Sequence, residues 1–231
     1  MNKKFLLLFI IAIIIGVVIG ININLIKKPL RENIEIKQNK INIVGLDNNN
    51  IGVTGTLETI IRDGNGLVLV NINDILADYS TQYSARIAAL AAGNYTKINL
   101  TNYDVIYNIK INASLISGQS AGSSMAIATI ALLQNKELKQ DVMLTGSIND
   151  DGTLGDVGGV FEKATAAKNV ASLFLIPKNS LAAENYIEAK TCNINPLLKY
   201  CKIDYKAEFN ITGIKIVEVN TVEDALKYYE K

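Results

Sequence analysis

From Ser120 to Leu133 the chain runs without a single charge, and Met125, Ile127, Ile130, Leu132 and Leu133 are distributed around much of a helical cylinder. A helix that is apolar on most sides cannot lie on a surface, so other elements must enclose it. The flanking segments suit that task. Val105 to Ile111 alternates apolar and polar residues and predicts a strand leading into Gly118-Gln119-Ser120, while Val142 to Ile148 predicts a strand after the helix. Strands alternating with helices point to an α/β domain.

The remaining elements extend this pattern. Ile41 to Leu46 and Ile51 to Arg62 are β-rich, and Asp63-Gly64-Asn65-Gly66 is a hairpin signal ahead of an apolar strand from Leu67 to Ile72. Early hairpins of this kind make the sheet mixed rather than purely parallel. Within Asp78 to Gly93 the period changes: Ile87, Leu90 and Ala91 predict an amphipathic helix, with Gly93 as its stop. Asn149 to Gly152 predicts a turn, Thr153 to Val157 a returning strand, Val160 to Val170 a helix, and Leu173 to Ile176 a buried strand halted at Pro177. Beyond Lys178 the expectation is a helix from Leu181 to Ala189, an irregular cysteine-bearing stretch, a strand from Ile214 to Val219, and a terminal helix capped at Thr221.

The amino terminus calls for a different solvent. From Phe5 to Ile26 there is no charged residue, and 22 residues in a helix span roughly 33 Å, against about 30 Å of bilayer hydrocarbon. Cleaved secretory signal and retained anchor are both open readings. Nothing like Ala-x-Ala follows the run, and it is long for a signal core, which favours the anchor. Lys27 to Lys40 then reads as a charged juxtamembrane linker broken by Pro29, so the expected organisation is 1–26 tip and transmembrane anchor, 27–40 linker, and 41–231 folded domain. Lys3 and Lys4 on one flank face Lys27, Lys28 and Arg31 on the other, and charge counting does not fix the sidedness. Hydrophobic residues make up 49% of the chain, enough for a core, and a net charge of +1 gives no reason to expect nucleic acid.

Ser120 sits where a glycine-flanked turn becomes a helix, which exposes a hydroxyl beside unpaired backbone N–H groups. Taken alone, it reads first as an ordinary helix cap. A serine nucleophile needs a base, and the chain contains no histidine, which excludes a Ser-His-acid triad and any histidine-ligated metal. Lysine is left as the base, provided its amine is neutral near pH 7. Lys163 follows Gly158-Gly159 at a predicted helix start, with Val160 and Phe161 able to shield it and the helix dipole disfavouring its charge. Alone, it too would be an ordinary solvated charge.

Three ordered motifs join these residues. Gly118-Gln119-Ser120-Ala121-Gly122, Thr145-Gly146 and Gly158-Gly159-Val160-Phe161-Glu162-Lys163, with 43 residues from serine to lysine, resemble the proteolytic domain of the Lon proteases. That resemblance implies a Ser-Lys dyad of Ser120 and Lys163, with Gly118 and Gly122 shaping the turn and the Thr145 hydroxyl helping to orient the amine. It also implies polypeptide substrates, a ring-like homo-oligomer, and neither metal nor organic cofactor. Where many members carry an acid three positions before the serine, this chain has Ser117. Where many carry histidines on the preceding strand, it has Ile106 and Asn108. No Gly-x4-Gly-Lys-Ser/Thr phosphate loop occurs in these 231 residues, so the expected enzyme is an ATP-independent, membrane-anchored serine endopeptidase.

Two other functions remain as alternatives. Gly118 to Ala126 also resembles the phosphate loop of sugar and mevalonate kinases, and a catalytically silent membrane-proximal binding domain would explain the anchor without chemistry. Glu58 could be a distant charge partner of Lys163, although an exposed strand position explains it as well. Ser123 and Ser124 read as structural hydroxyls. Cys192 and Cys201 flank Pro196; two cysteines without histidine do not make a zinc site, and disulfide and free thiols are both open. Four Asn-x-Ser/Thr sequons, at Asn94, Asn99, Asn112 and Asn210, together with the short tail before the anchor favour an extracytoplasmic domain.

Overall fold

The computed structural model describes Ile13 and residues 36–71, 76–111, 115–116, 118–180, 186–195, 198–207 and 213–231, with backbone alone for 76–77, 115–116 and 186–207. Internal contacts separate Met1–Ile34 from Glu35–Lys231. The apolar run Phe5–Ile26, apart from Ile13, and the first part of the expected linker lie outside the described residues. Among the described residues no helix is long and apolar enough to cross a membrane.

The folded unit opens with β1 (Lys37–Leu46) antiparallel to β2 (Gly52–Asp63), followed by β3 (Val68–Asn71) and β4 (Leu76–Ala77). Lys37 to Lys40, expected in the linker, are thus strand residues facing Ile61 to Glu58. A ladder needs backbone groups rather than apolar side chains, and Asn39, which would be stranded in a core, donates from Nδ2 to the carbonyl of Ala128 at 2.8 Å.

Helix α1 (Tyr79–Thr96) starts at Asp78, whose carboxylate accepts the N–H of Thr81. It does not stop at Gly93. It continues to Thr96 and ends on a left-handed Lys97, while Gly93 makes room for the Ile98 carbonyl, 3.1 Å from where a Cβ would be. A 3-10 turn (Leu100–Asn102) leads into β5 (Tyr103–Ile111), and β6 (Leu115–Ile116) pairs in parallel with β4.

The first sheet has the order β1-β2-β5-β3, so β5 lies between the two strands expected to form a hairpin. Asp104 is the reason. Its carboxylate accepts the N–H groups of Asn65 (2.9 Å) and Leu67 (3.1 Å), and the Gly64 N–H reaches the Asn102 carbonyl. The Asp63–Gly66 turn therefore wraps over the end of β5, and β3 runs parallel to it.

Helix α2 (Gly122–Leu133) is the predicted enclosed helix, and every residue but Leu133 is buried. The first sheet presents Leu57, Ile61, Val105, Tyr107 and Ile109 to the principal core, which also takes in α1 and α2. Fully burying Met125, Ile127 and Ile130 contributes roughly 1.5–3 kcal/mol each.

After α2 the expected strand Val142–Ile148 is interrupted. β7 (Val142–Leu144) and β8 (Ser147–Ile148) are separated by Thr145-Gly146, and β8 turns back on β9 (Leu154–Gly155). The break lets β7 stay in a second sheet while the chain bends toward Ser120. Helix α3 (Val160–Ala167) and β10 (Leu173–Pro177) follow. Tyr186–Ala189, expected to be helical, belong instead to β11 (Tyr186–Asn195), antiparallel to β12 (Leu198–Ala207). Ladder pairing between β11 and β12 overrides the helical spacing of the isolated segment. In that hairpin Cys192 lies opposite Cys201; their side chains lie outside the described residues. β13 (Lys215–Val219) completes a parallel second sheet of order β13-β10-β7, and α4 (Val222–Tyr229) ends the described fold with Thr221 as its cap.

Candidate active site

Two glycine-punctuated turns converge on a cleft of about 1000 Å³, lined by Ser120, Ala121, Gly118, Phe161, Asp156 and Lys163 among others. Ser120 occupies the turn just before α2, half-buried at the cleft wall. Gly118 precedes it with φ +92, a backbone that favours glycine, and Gly122 follows where a Cβ would collide with Ser84 Oγ. The two expected supporting glycines thus have separate causes, a turn in one case and close helix packing in the other.

Lys163 stands on the first turn of α3 and is 3% exposed. Gly159 caps this helix at φ +66, and a Cβ there would strike Leu46 Cδ1. Of the two residues expected to shield the lysine, Val160 is fully buried, while Phe161 is 43% exposed and lines the cleft. Packing of α3 against β1 and β2 buries Lys163: Gly52 lies so close to the Glu162 carbonyl that no side chain fits between them.

Thr145 is fully buried. Its N–H donates to the Leu175 carbonyl at 3.1 Å and its hydroxyl to the Ser120 carbonyl at 3.4 Å. Gly146 N–H donates to that same Ser120 carbonyl at 2.9 Å, and Ser123 N–H returns to the Gly146 carbonyl at 3.1 Å. The Thr145-Gly146 break therefore fastens the serine turn from one side. Ser124 donates to the Leu144 carbonyl at 2.8 Å, a structural tie between α2 and β7, and Ser123 is fully buried. Glu58 accepts a 3.0 Å hydrogen bond from Asn108 on the neighbouring strand and does not line the cleft.

Sequence reasoning overlooked the other side of the turn. Ser80 Oγ accepts the Gly118 N–H at 2.8 Å and donates to Asp78 Oδ1 at 2.6 Å; Ser84 Oγ donates to the Gln119 carbonyl at 3.1 Å. Bonds from Ser80, outweighing desolvation, and from Thr81 and Gly118 hold the Asp78 carboxyl below its usual range. A capping aspartate was readable in the sequence. That its hydroxyl neighbours grip a loop 35 to 38 residues away was not. Among the described residues no group of three or more acidic, cysteine or histidine side chains could hold a metal.

Residues 25–192, well over half of the chain, match the family model described as the Lon protease (S16) C-terminal proteolytic domain. The chain belongs to the Lon protease family. Among curated relatives, an archaeal Lon protease of Methanocaldococcus jannaschii is 31% identical over 153 residues, covering 63% of this chain and 23% of the relative. An archaeal Lon protease of Thermoplasma volcanium is 28% identical over 199 residues, covering 82% of this chain and 27% of the relative. A Lon protease of Fervidobacterium nodosum is 27% identical over 143 residues, covering 60% and 18%. This Lon-family chain thus spans about a quarter or less of the length of those relatives, and the matched region contains all three motifs. Of the readings weighed from sequence, the match falls on the proteolytic one.

Proposed function

We propose that this chain is a serine endopeptidase in which Ser120 attacks the peptide carbonyl and Lys163 serves as general base. The observation that carries the proposal is the lining of one cleft by a turn-borne hydroxyl and a lysine that is only 3% exposed. Burial of this depth disfavours an ammonium, which is what a lysine base requires.

Neutral Lys163 Nζ takes the Ser120 proton as the Oγ–C bond forms. The tetrahedral oxyanion is held by backbone N–H groups at the entrance to α2, that of Ser120 among them. The ammonium then protonates the departing amine as the C–N bond breaks. Water attacks the acyl-enzyme next, surrendering a proton to Lys163, which returns it to Ser120. Thr145 orients the amine, Gly118 supplies the left-handed turn, and Gly122 lets the start of α2 pack against α1. The chemistry needs no metal or ATP.

The test uses the full chain in mild detergent with casein or a fluorogenic peptide. Ser120→Ala and Lys163→Ala should each lower kcat by roughly a thousandfold or more with circular dichroism unchanged. Lys163→Arg should fail equally, because guanidinium does not deprotonate. Wild-type rates should rise with a pKa well below the ~10.4 of a free lysine. Full activity in either alanine variant would sink the proposal.

The surroundings of the site are part of the same reading. The run Phe5–Ile26 anchors the domain in a bilayer, the domain faces the extracytoplasmic side, and several copies assemble into a ring. The opposed register of Cys192 and Cys201 supports a disulfide in that compartment. Intact-mass measurement before and after reduction decides this last point: an unchanged mass, without alkylation of either thiol beforehand, would argue for free cysteines.

A further inference from the structure

The residue that does the chemistry is flanked by two peptide planes, and each has its carbonyl tied down. Ser120 O is held by Gly146 N–H at 2.9 Å and the Thr145 hydroxyl at 3.4 Å. Gln119 O accepts from Gly122 N–H at 3.0 Å and from Ser84 Oγ at 3.1 Å. In a planar trans peptide the C=O and the following N–H point in opposite directions. A Gln119 carbonyl drawn onto α1 therefore turns the Ser120 N–H away from α1, and a Ser120 carbonyl drawn onto Gly146 turns the Ala121 N–H the other way. Whatever fixes these carbonyls aims the donors of the oxyanion site.

One residue earlier, Gly118 has the freedom to swing. It is exposed, its φ is +92, and a Cβ there would meet nothing within 4 Å. Its N–H is nonetheless held by Ser80 Oγ at 2.8 Å, and Ser80 is oriented by donating to Asp78 Oδ1 at 2.6 Å. Asp78 is itself immobilised as the cap of α1 through Thr81 N–H at 3.0 Å and the Thr81 hydroxyl at 3.2 Å. Just upstream, β4 and β6 run side by side, so the entries to α1 and to the serine loop are already adjacent.

We infer that Ser80 and Ser84, on the first two turns of α1 with Asp78 behind Ser80, are positioning residues that clamp Gly118 and Gln119 and thereby aim the Ser120 N–H at the developing oxyanion. The inference rests on Ser120 being the nucleophile. It assigns to α1, which contributes no catalytic group, the job of preorganising the oxyanion site. A preorganised donor acts more on the transition state than on bound substrate. The clamp should therefore be visible in kcat and nearly silent in KM.

The test is kinetic, on the full chain. Ser80→Ala keeps the Asp78–Thr81 cap but releases Gly118; Ser84→Ala releases Gln119 from α1. Each should lower kcat about tenfold, short of the 10²–10³ for losing an oxyanion donor outright, with KM changed less than about twofold. Labelling of Ser120 by a serine-directed acylating probe, followed by mass spectrometry, should slow in parallel. Ser80→Thr, which retains the hydroxyl, should restore kcat. Wild-type kcat per folded molecule in both alanine variants, while Ser120→Ala is inactive, overturns the clamp and leaves the dyad standing. Activity surviving in Ser120→Ala overturns both. If Ser84→Ala does not fold, Ser80→Ala decides, because its hydroxyl is half-buried and is not the helix cap.

Discussion

Asp104 converts an apparent hairpin into an overpass. Its carboxyl is held below the usual range first by the Asn65 N–H, then by the Leu67 N–H, with Arg62 adding a favourable charge. In the unfolded chain the same group titrates near the ordinary ~3.9. Its stabilisation is therefore complete above that value and disappears as pH falls through the lower folded pKa. Chemical denaturation across pH 2–5 should show stability falling on the acid side, and Asp104→Asn should flatten that slope. A second buried pair separates a bond lost from a group stranded. The hydroxyls of Tyr107 and Thr129 meet at 2.7 Å, and Thr129 also reaches the Met125 carbonyl. Tyr107→Phe should cost about 1 kcal/mol, whereas Thr129→Val leaves a fully buried Tyr107 hydroxyl unsatisfied and should cost about 1–3 kcal/mol in urea titrations.

At the scale of elements, α3 is positioned by two glycines for two reasons. Gly159 supplies a left-handed cap that clears Leu46, and Gly52 lets β2 approach the Glu162 carbonyl. A side chain at 159 is strained by backbone and neighbour together. Gly159→Ala should therefore destabilise by roughly 2 kcal/mol or more. Because α3 carries Lys163, the acid limb of the pH–rate profile should shift as well; thermal unfolding and the profile measured on one preparation check both. Helix α2 shows the complementary case. It tolerates burial on nearly every side because its surface is small, with Gly122 set against Ser84 on α1.

For the molecule as a whole, the boundary that matters is where pairing begins. β1 starts at Lys37, and the compact unit starts at Glu35. A chain cut before Glu35 should unfold cooperatively with the midpoint of the full chain. One cut before Ile41 should melt lower, because the partners of Glu58 to Ile61 on the β1 side have been removed. Carbonate extraction of membranes should retain the full chain and release the version lacking residues 1–34; retention of both would remove the role given to Phe5–Ile26.

The enclosed helix ending at Leu133, the two glycine-flanked turns and the 43-residue interval between Ser120 and Lys163 were legible in the sequence, because burial periodicity and φ requirements are written locally in residue type. So was the cap at Thr221. Strand order was not, because the Asp63–Gly66 turn obeys a carboxylate some forty residues away rather than its own dipeptides. Nor was the extent of β1, where polar residues pair through backbone, or the β11–β12 ladder laid over a helical-looking segment. The grip of Ser80 and Ser84 on the serine loop was equally invisible, since a hydroxyl on a helix carries no sign of what lies opposite it. The sequence by itself determined which residues could carry chemistry; only tertiary packing, through contacts remote in the chain, decided which way the groups around them point.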